Sequence, residues 1–248
     1  MSIGMISKAQ LTAVYRDTYF VEDTGDLVIT ERGVTNKGND LERVTIKGLT
    51  GKYLQILPNW LKDTSEPYQK LWHDCPLLRR DCDSVLLLQH NGVEYVMWIE
   101  LKSGYSSAIS DAMFQIVGSS IRAKSYLNTF AEYRQSEREE VGLIVSHPLQ
   151  TNDVSMENGN EDVMANKRGF VPGALSKKEI LIRNYRRELK ANKGNAVLKS
   201  EDFSLGDLPL DRSCKFERLP LIHVTLDGIE GELDIDDVLA RLQQLKSM

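Results

Sequence analysis

No apolar run in this sequence approaches the roughly 20 residues that a helix needs to cross a bilayer, so no membrane span is expected. Residues 1–10 lack the basic start and apolar stretch of a secretion signal, and a cytoplasmic location is the expectation. Cysteine is scarce. Cys75, Cys82 and Cys214 are odd in number and irregularly spaced, which excludes a disulfide framework. His73, Cys75, Cys82 and His90 lie close together but match no zinc spacing. An excess of positive charge is also lacking: the net charge is −5, which excludes a uniformly basic nucleic-acid binder. No internal repeat is visible, which excludes a solenoid.

What is present suits one large domain, or one domain with appendages: 248 residues, 41% of them apolar. The charge is unevenly spread. Between Lys167 and Lys199 stand ten Lys or Arg and two acids, Glu179 and Glu188, so this segment carries +8 and the remainder −13. Local charge decides where a phosphate backbone docks.

Hydrophobic periodicity predicts a short helix over residues 7–16 and a strand over 27–30. From Asn39, Leu41, Val44, Leu49, Tyr53 and Ile56 or Leu57 recur at helical spacing, with Asn39 or Asp40 as cap and Pro58 beyond the end. Residues 67–72 read as a helical turn, and 84–89 and 93–102 as buried strands joined by Asn91-Gly92, a strong hairpin signal. Ser106 or Ser107 caps a long helix, and 141–145 is another buried strand. Residues 151–175 read as a polar loop. Ser176 to Glu179 form a capping box that opens a basic helix; a strand over 221–226 and a terminal helix bearing Val238, Leu239, Leu242 and Leu245 follow. The expected fold is α/β, a central mixed sheet flanked by helices. Its core and N-terminal extension span 1–150. The basic helix, strand and terminal helix of 176–248 form an α/β extension packed on the same domain.

The hairpin carries the chemistry. A two-residue Asn91-Gly92 loop pairs His90 with Val93, and the same register sets Asp83 opposite Glu100. Side chains alternate along a strand, so Glu100 and Lys102 share a face, and cross-strand neighbours share it too. Two carboxylates and an amine therefore converge on one patch. Like charges directly opposite are destabilising, and buried carboxylates need partners or a metal. A hard divalent cation, Mg2+ or Mn2+, answers both needs and can polarise a phosphoryl group. The constellation suits phosphodiester hydrolysis.

Asp83 followed by Glu100-Leu101-Lys102 resembles the core signature of the PD-(D/E)XK nuclease superfamily, and the order helix, antiparallel hairpin, helix, strand resembles that family's restriction-endonuclease-like core over about residues 39–145. The resemblance implies a metal held by Asp83, Glu100 and the Leu101 carbonyl, with Lys102 positioning or activating the attacking water. It also implies a further glutamate ligand before the hairpin, for which Glu42 is the candidate, and a glutamine on the following helix, Gln115. Cys82 stands where the signature has proline, and Ser119 where some branches carry tyrosine. Gln115, Ser119, Arg122 and Tyr126 fall on one helical line, which would let Arg122 touch phosphates.

The basic helix offers Lys177, Lys178, Arg183, Arg186, Arg187 and Lys190 for sequence-independent backbone contacts. The expected function is metal-dependent cleavage of nucleic acid, DNA before RNA, in restriction, repair or antiviral defence. The alternative is a nuclease-like, catalytically inactive subunit that binds nucleic acid or serves assembly. A homo-oligomer or a regulatory protein partner is compatible with either.

Overall fold

The computed structural model describes residues 5–31, 41–71, 75–102, 105–135, 137–148 and 176–247. The expected polar loop over 151–175 and the expected cap residues Asn39 and Asp40 lie outside the described residues.

The fold is α/β. Helix α1 (Lys8–Thr12) opens on a Ser7 capping box and leads into strands β1 (Phe20–Thr24) and β2 (Leu27–Thr30). Next come β3 (Arg43–Lys47), β4 (Lys52–Ile56) and α2 (Pro58–Leu71). The hairpin β5 (Ser84–His90) and β6 (Val93–Lys102) precedes α3 (Tyr105–Leu127), α4 (Ala131–Gln135) and β7 (Arg138–Ser146). The chain continues with α5 (Lys177–Ala191), β8 (Asn195–Lys199), β9 (Arg218–Thr225), β10 (Glu230–Asp234) and α6 (Ile235–Lys246). No helix among the described residues is long and apolar enough to cross a membrane.

Seven strands form one mixed sheet in the order β1-β4-β5-β6-β7-β9-β8, and β10-β3-β2 form a second, smaller one. The center of the large sheet is parallel, β6 with β7 and β7 with β9. One face packs Val85, Leu87 and Trp98 against Met113, Ile116 and Val117 of α3 and Trp60 of α2. The other packs Leu86, Met97 and Ile99 against Val44 and Ile46 of the small sheet and Leu239 and Leu242 of α6. Strands buried on both faces lose the polar alternation of a surface strand, which is why β5 and β6 read as nearly continuous apolar runs. The C-terminal segment is no mere appendage: β9 and β8 complete the same sheet.

One expectation is overturned. Residues 41–57 are not a helix but two strands in different sheets. Gly48, at φ +79°, turns the chain between them, and a side chain there would press on the Asp234 carboxylate. The apparent helical spacing averaged two short strands across that break. The helix before the hairpin is α2 instead, and Pro58 is its first residue, where a missing N–H costs nothing.

Candidate active site

The hairpin register is the one the turn dictates. Asn91 and Gly92 both take positive φ, 50° and 79°, the type I′ geometry that matches strand twist. His90 pairs with Val93 and Ser84 with Ile99, so Asp83 lies beside Glu100 where the strands end. The two acids are tied across the strands. The Asp83 N–H donates to Glu100 Oε2 at 3.1 Å, and the Leu101 N–H donates to Asp83 Oδ2 at 2.8 Å. Lys102 Nζ forms an ion pair with Glu100 Oε1. All three residues, with Leu101 and Gln115, line a cleft of about 320 Å³ at the end of the large sheet.

Glu100 is only 1% exposed. Burial first, and then the Asp83 charge, push its carboxyl up to about 8, against the opposing pull of Lys102 and of the Asp83 backbone. The folded protein therefore holds this proton more tightly than the unfolded chain does. The sign follows: the metal-free fold has this contribution in full below about pH 4.5 and loses it as the pH rises through about 8. In chelator, melting temperature measured from pH 5 to 9 should decline more steeply for the wild type than for Glu100→Gln, which cannot ionise there. Parallel curves would mean that Glu100 is not held protonated.

The donor set fits a hard divalent cation. Two buried carboxylates, Asp83 and Glu100, border one cleft with Leu101, and the burial and the neighbouring Asp83 charge that raise Glu100 are penalties a cation would relieve. Among the described residues, no three His, Cys, Asp or Glu side chains gather into a ready cage.

Other expected site residues fall out differently. Glu42 stands on no helix. It precedes β3, its carbonyl accepts the Glu31 N–H at 2.9 Å, and it does not line the cleft; Glu31 does. Gln115 lines the cleft, where its Nε2 donates to the Asp81 carbonyl at 2.9 Å. Arg122 is corrected outright, because it is fully buried and cannot reach a phosphate. Its guanidinium donates to the carbonyls of Leu78 at 2.6 Å and Arg80 at 2.9 Å, and forms an ion pair with Asp81. Ser119 belongs to the same arrangement, accepting the Cys82 N–H at 2.8 Å. Ser119 and Arg122 thus clamp the segment that delivers Asp83 rather than facing a ligand, while Gln115 both holds that segment and borders the cleft.

On α5, Lys177, Lys178, Arg187 and Lys190 are exposed, while Arg183 and Arg186 are half-buried. Tyr185 and Leu189 turn inward, and the Tyr185 hydroxyl donates to Asp202. Lys178 Nζ sits 5.0 Å from the center of the Phe114 ring, next in sequence to Gln115, so the start of the basic helix stands on the turn of α3 that borders the cleft. Glu31, Arg79, Arg80 and Asp81 also line the cleft and escaped sequence reasoning. The charged run Arg79-Arg80-Asp81 just before a buried strand was an available signal. Nothing in the sequence announces Glu31, whose position depends on the pairing of the small sheet.

No protein-family model matches this chain, and neither curated proteins nor solved structures give a significant match.

Proposed function

We propose that this protein is a metal-dependent nuclease that hydrolyses phosphodiester bonds, in DNA before RNA, with Mg2+ or Mn2+ as cofactor. The observation that carries the reading is the convergence of Asp83, Glu100 and Lys102 in one cleft, fixed by the hairpin register. Asp83, Glu100 and the Leu101 carbonyl would hold the cation. Bound there, it would supply Lewis acidity toward a phosphoryl oxygen and a lowered pKa for water. Lys102, one-fifth exposed at the cleft, can orient the attacking water or balance charge on the phosphate once Glu100 turns to the cation. Gln115, on the cleft wall, offers an amide to the same water. Restriction, repair and antiviral defence are settings that such an activity would serve.

The test is cleavage of single- and double-stranded DNA and of RNA by the purified protein in Mg2+ or Mn2+, with chelator as control. Cleavage that chelator abolishes supports the proposal. Binding without cleavage under every metal condition would move the chain to an inactive nucleic-acid-binding subunit.

The basic helix makes a separate expectation. Changing the exposed Lys178, Arg187 and Lys190 together to Glu should weaken nucleic-acid affinity and flatten its salt dependence. Melting temperature should hardly move, since exposed charges contribute little to stability. An unchanged salt slope would assign that helix to a protein partner instead.

A further inference from the structure

The segment of residues 76–82 is the feature that the nuclease reading leaves unused. It crosses from α2 to β5 as a single 3-10 turn, Pro76–Arg79, followed by extended chain. Three side chains of α3 fasten it from behind: Gln115 holds the Asp81 carbonyl, Ser119 the Cys82 N–H, and Arg122 the carbonyls of Leu78 and Arg80. Contact is closest at Gly118, where even a Cβ would lie 2.2 Å from the Leu77 carbonyl oxygen. A helix-to-strand connection held this tightly is rigid, and rigidity is what a positioning element needs. Its outer side presents Arg79 and Arg80 to the cleft. Arg79 is exposed, and Arg80 is half-buried, 3.2 Å from Asp111.

Charge completes the case. Counted with every acid ionised, four acids and three bases line the cleft, a formal charge of minus one that becomes plus one when a divalent cation joins Asp83 and Glu100. The cleft then suits an anion, and a guanidinium at its mouth suits the oxygens of a phosphodiester bidentately.

We infer that Arg79, presented by the segment clamped on α3, grips the nucleic-acid backbone beside the phosphate to be cleaved; this rests on the nuclease reading above. Arg79 is a binding residue that sets where the strand lies relative to Asp83, Glu100 and Lys102. It differs from the basic helix in its reach: α5 gathers nucleic acid over a broad surface, and Arg79 fixes the strand at the cleft.

The experiment uses the full chain and a labelled oligodeoxynucleotide, single-stranded and duplex, in Mn2+ or Mg2+. Arg79→Ala should raise KM about tenfold, the value of a charged hydrogen bond, with much the smaller change in kcat. Measured in the Asp83→Asn background, where no cutting intervenes, the dependence of log affinity on log salt should lose a slope of about one. Arg79→Lys, keeping the charge but not the fork, should recover part of the KM. A wild type that cuts while Arg79→Ala keeps its KM and salt slope overturns this assignment and leaves the nuclease reading standing. A wild type that neither binds nor cuts nucleic acid overturns both.

Discussion

Lys102→Ala, Asp83→Asn and Glu100→Gln should each lower metal-dependent cleavage by at least about 10²–10³-fold, the usual cost of removing one group that stabilises developing charge. Their melting temperatures in chelator should separate a catalytic cluster from a structural one. The three groups meet where β5 and β6 end, Glu100 nearly inaccessible and Lys102 partly open to the cleft. An ion pair built for stability, broken by removing one partner, leaves a stranded buried charge and costs several kcal/mol. Here the stranded partner after Lys102→Ala is Glu100, already pushed up to about 8 and so able to take a proton rather than remain charged. After Glu100→Gln the stranded partner is Lys102, which reaches solvent. Both changes should therefore leave the metal-free fold close to wild type, and Asp83→Asn should stabilise it above about pH 8, where Glu100 is ionised and the like charges meet. The same proton gives a second readout. A cation on these carboxylates would displace it, so binding of Mn2+ near pH 7 should release protons into solution, and Glu100→Gln should release fewer. Cleavage by Lys102→Ala at the wild-type rate would remove the proposed chemistry. A melting temperature that collapses in all three variants would recast the cluster as structural.

How much of this was legible in the sequence depends on the range of the forces involved. The hairpin was readable because Asn91-Gly92 is local: two residues set the turn, the turn sets the register, and the register brings Asp83 to Glu100 without help from distant chain. The capping box at Ser176 and the apolar stripe of α6 are local in the same sense, and both stand where the pattern put them. Residues 41–57 misled because short strands of about five residues show too little period to reveal themselves, and their partners lie far away. β3 pairs with β10, some 190 residues on, and such pairing leaves no mark on neighbouring residues. Glu42 failed as a site residue for that reason, and Glu31 was missed for the same one. Arg122 failed differently. Its helical line with Gln115 and Ser119 was placed correctly, but a polar line at the edge of an apolar stripe can meet either a ligand or a backbone, and only the path of residues 76–82 decides between them.

That distinction leads to the largest stability effect expected in the molecule. Arg122→Ala should destabilise the fold by about 3–5 kcal/mol, the cost of breaking a buried ion pair from one side. Several losses act together. Asp81 loses its cation, the carbonyls of Leu78 and Arg80 lose their donor, and the contact between α3 and α2 through the Leu61 carbonyl at 3.4 Å is gone. Buried acceptors without donors cost about 1–3 kcal/mol each when water cannot replace the partner. Against a typical domain stability of about 5–15 kcal/mol, such a loss brings the protein near unfolding at its working temperature. Arg122→Lys should recover only part, because one ammonium cannot span the carbonyls and the carboxylate that the planar fork reaches together. Gly118→Ala should reproduce the defect without touching a charge, since its Cβ would meet the Leu77 carbonyl oxygen at 2.2 Å and prise the segment off α3. Urea or thermal melts of the three variants give the measurement, and cleavage assayed well below the melting temperature gives the control. A phosphate-binding Arg122 would show the opposite pattern, with melting unchanged and nucleic-acid affinity lost. A lowered melting temperature shared by Arg122→Ala and Gly118→Ala would instead identify a clamp, and cleavage should then fail as Asp83 loses the support behind it.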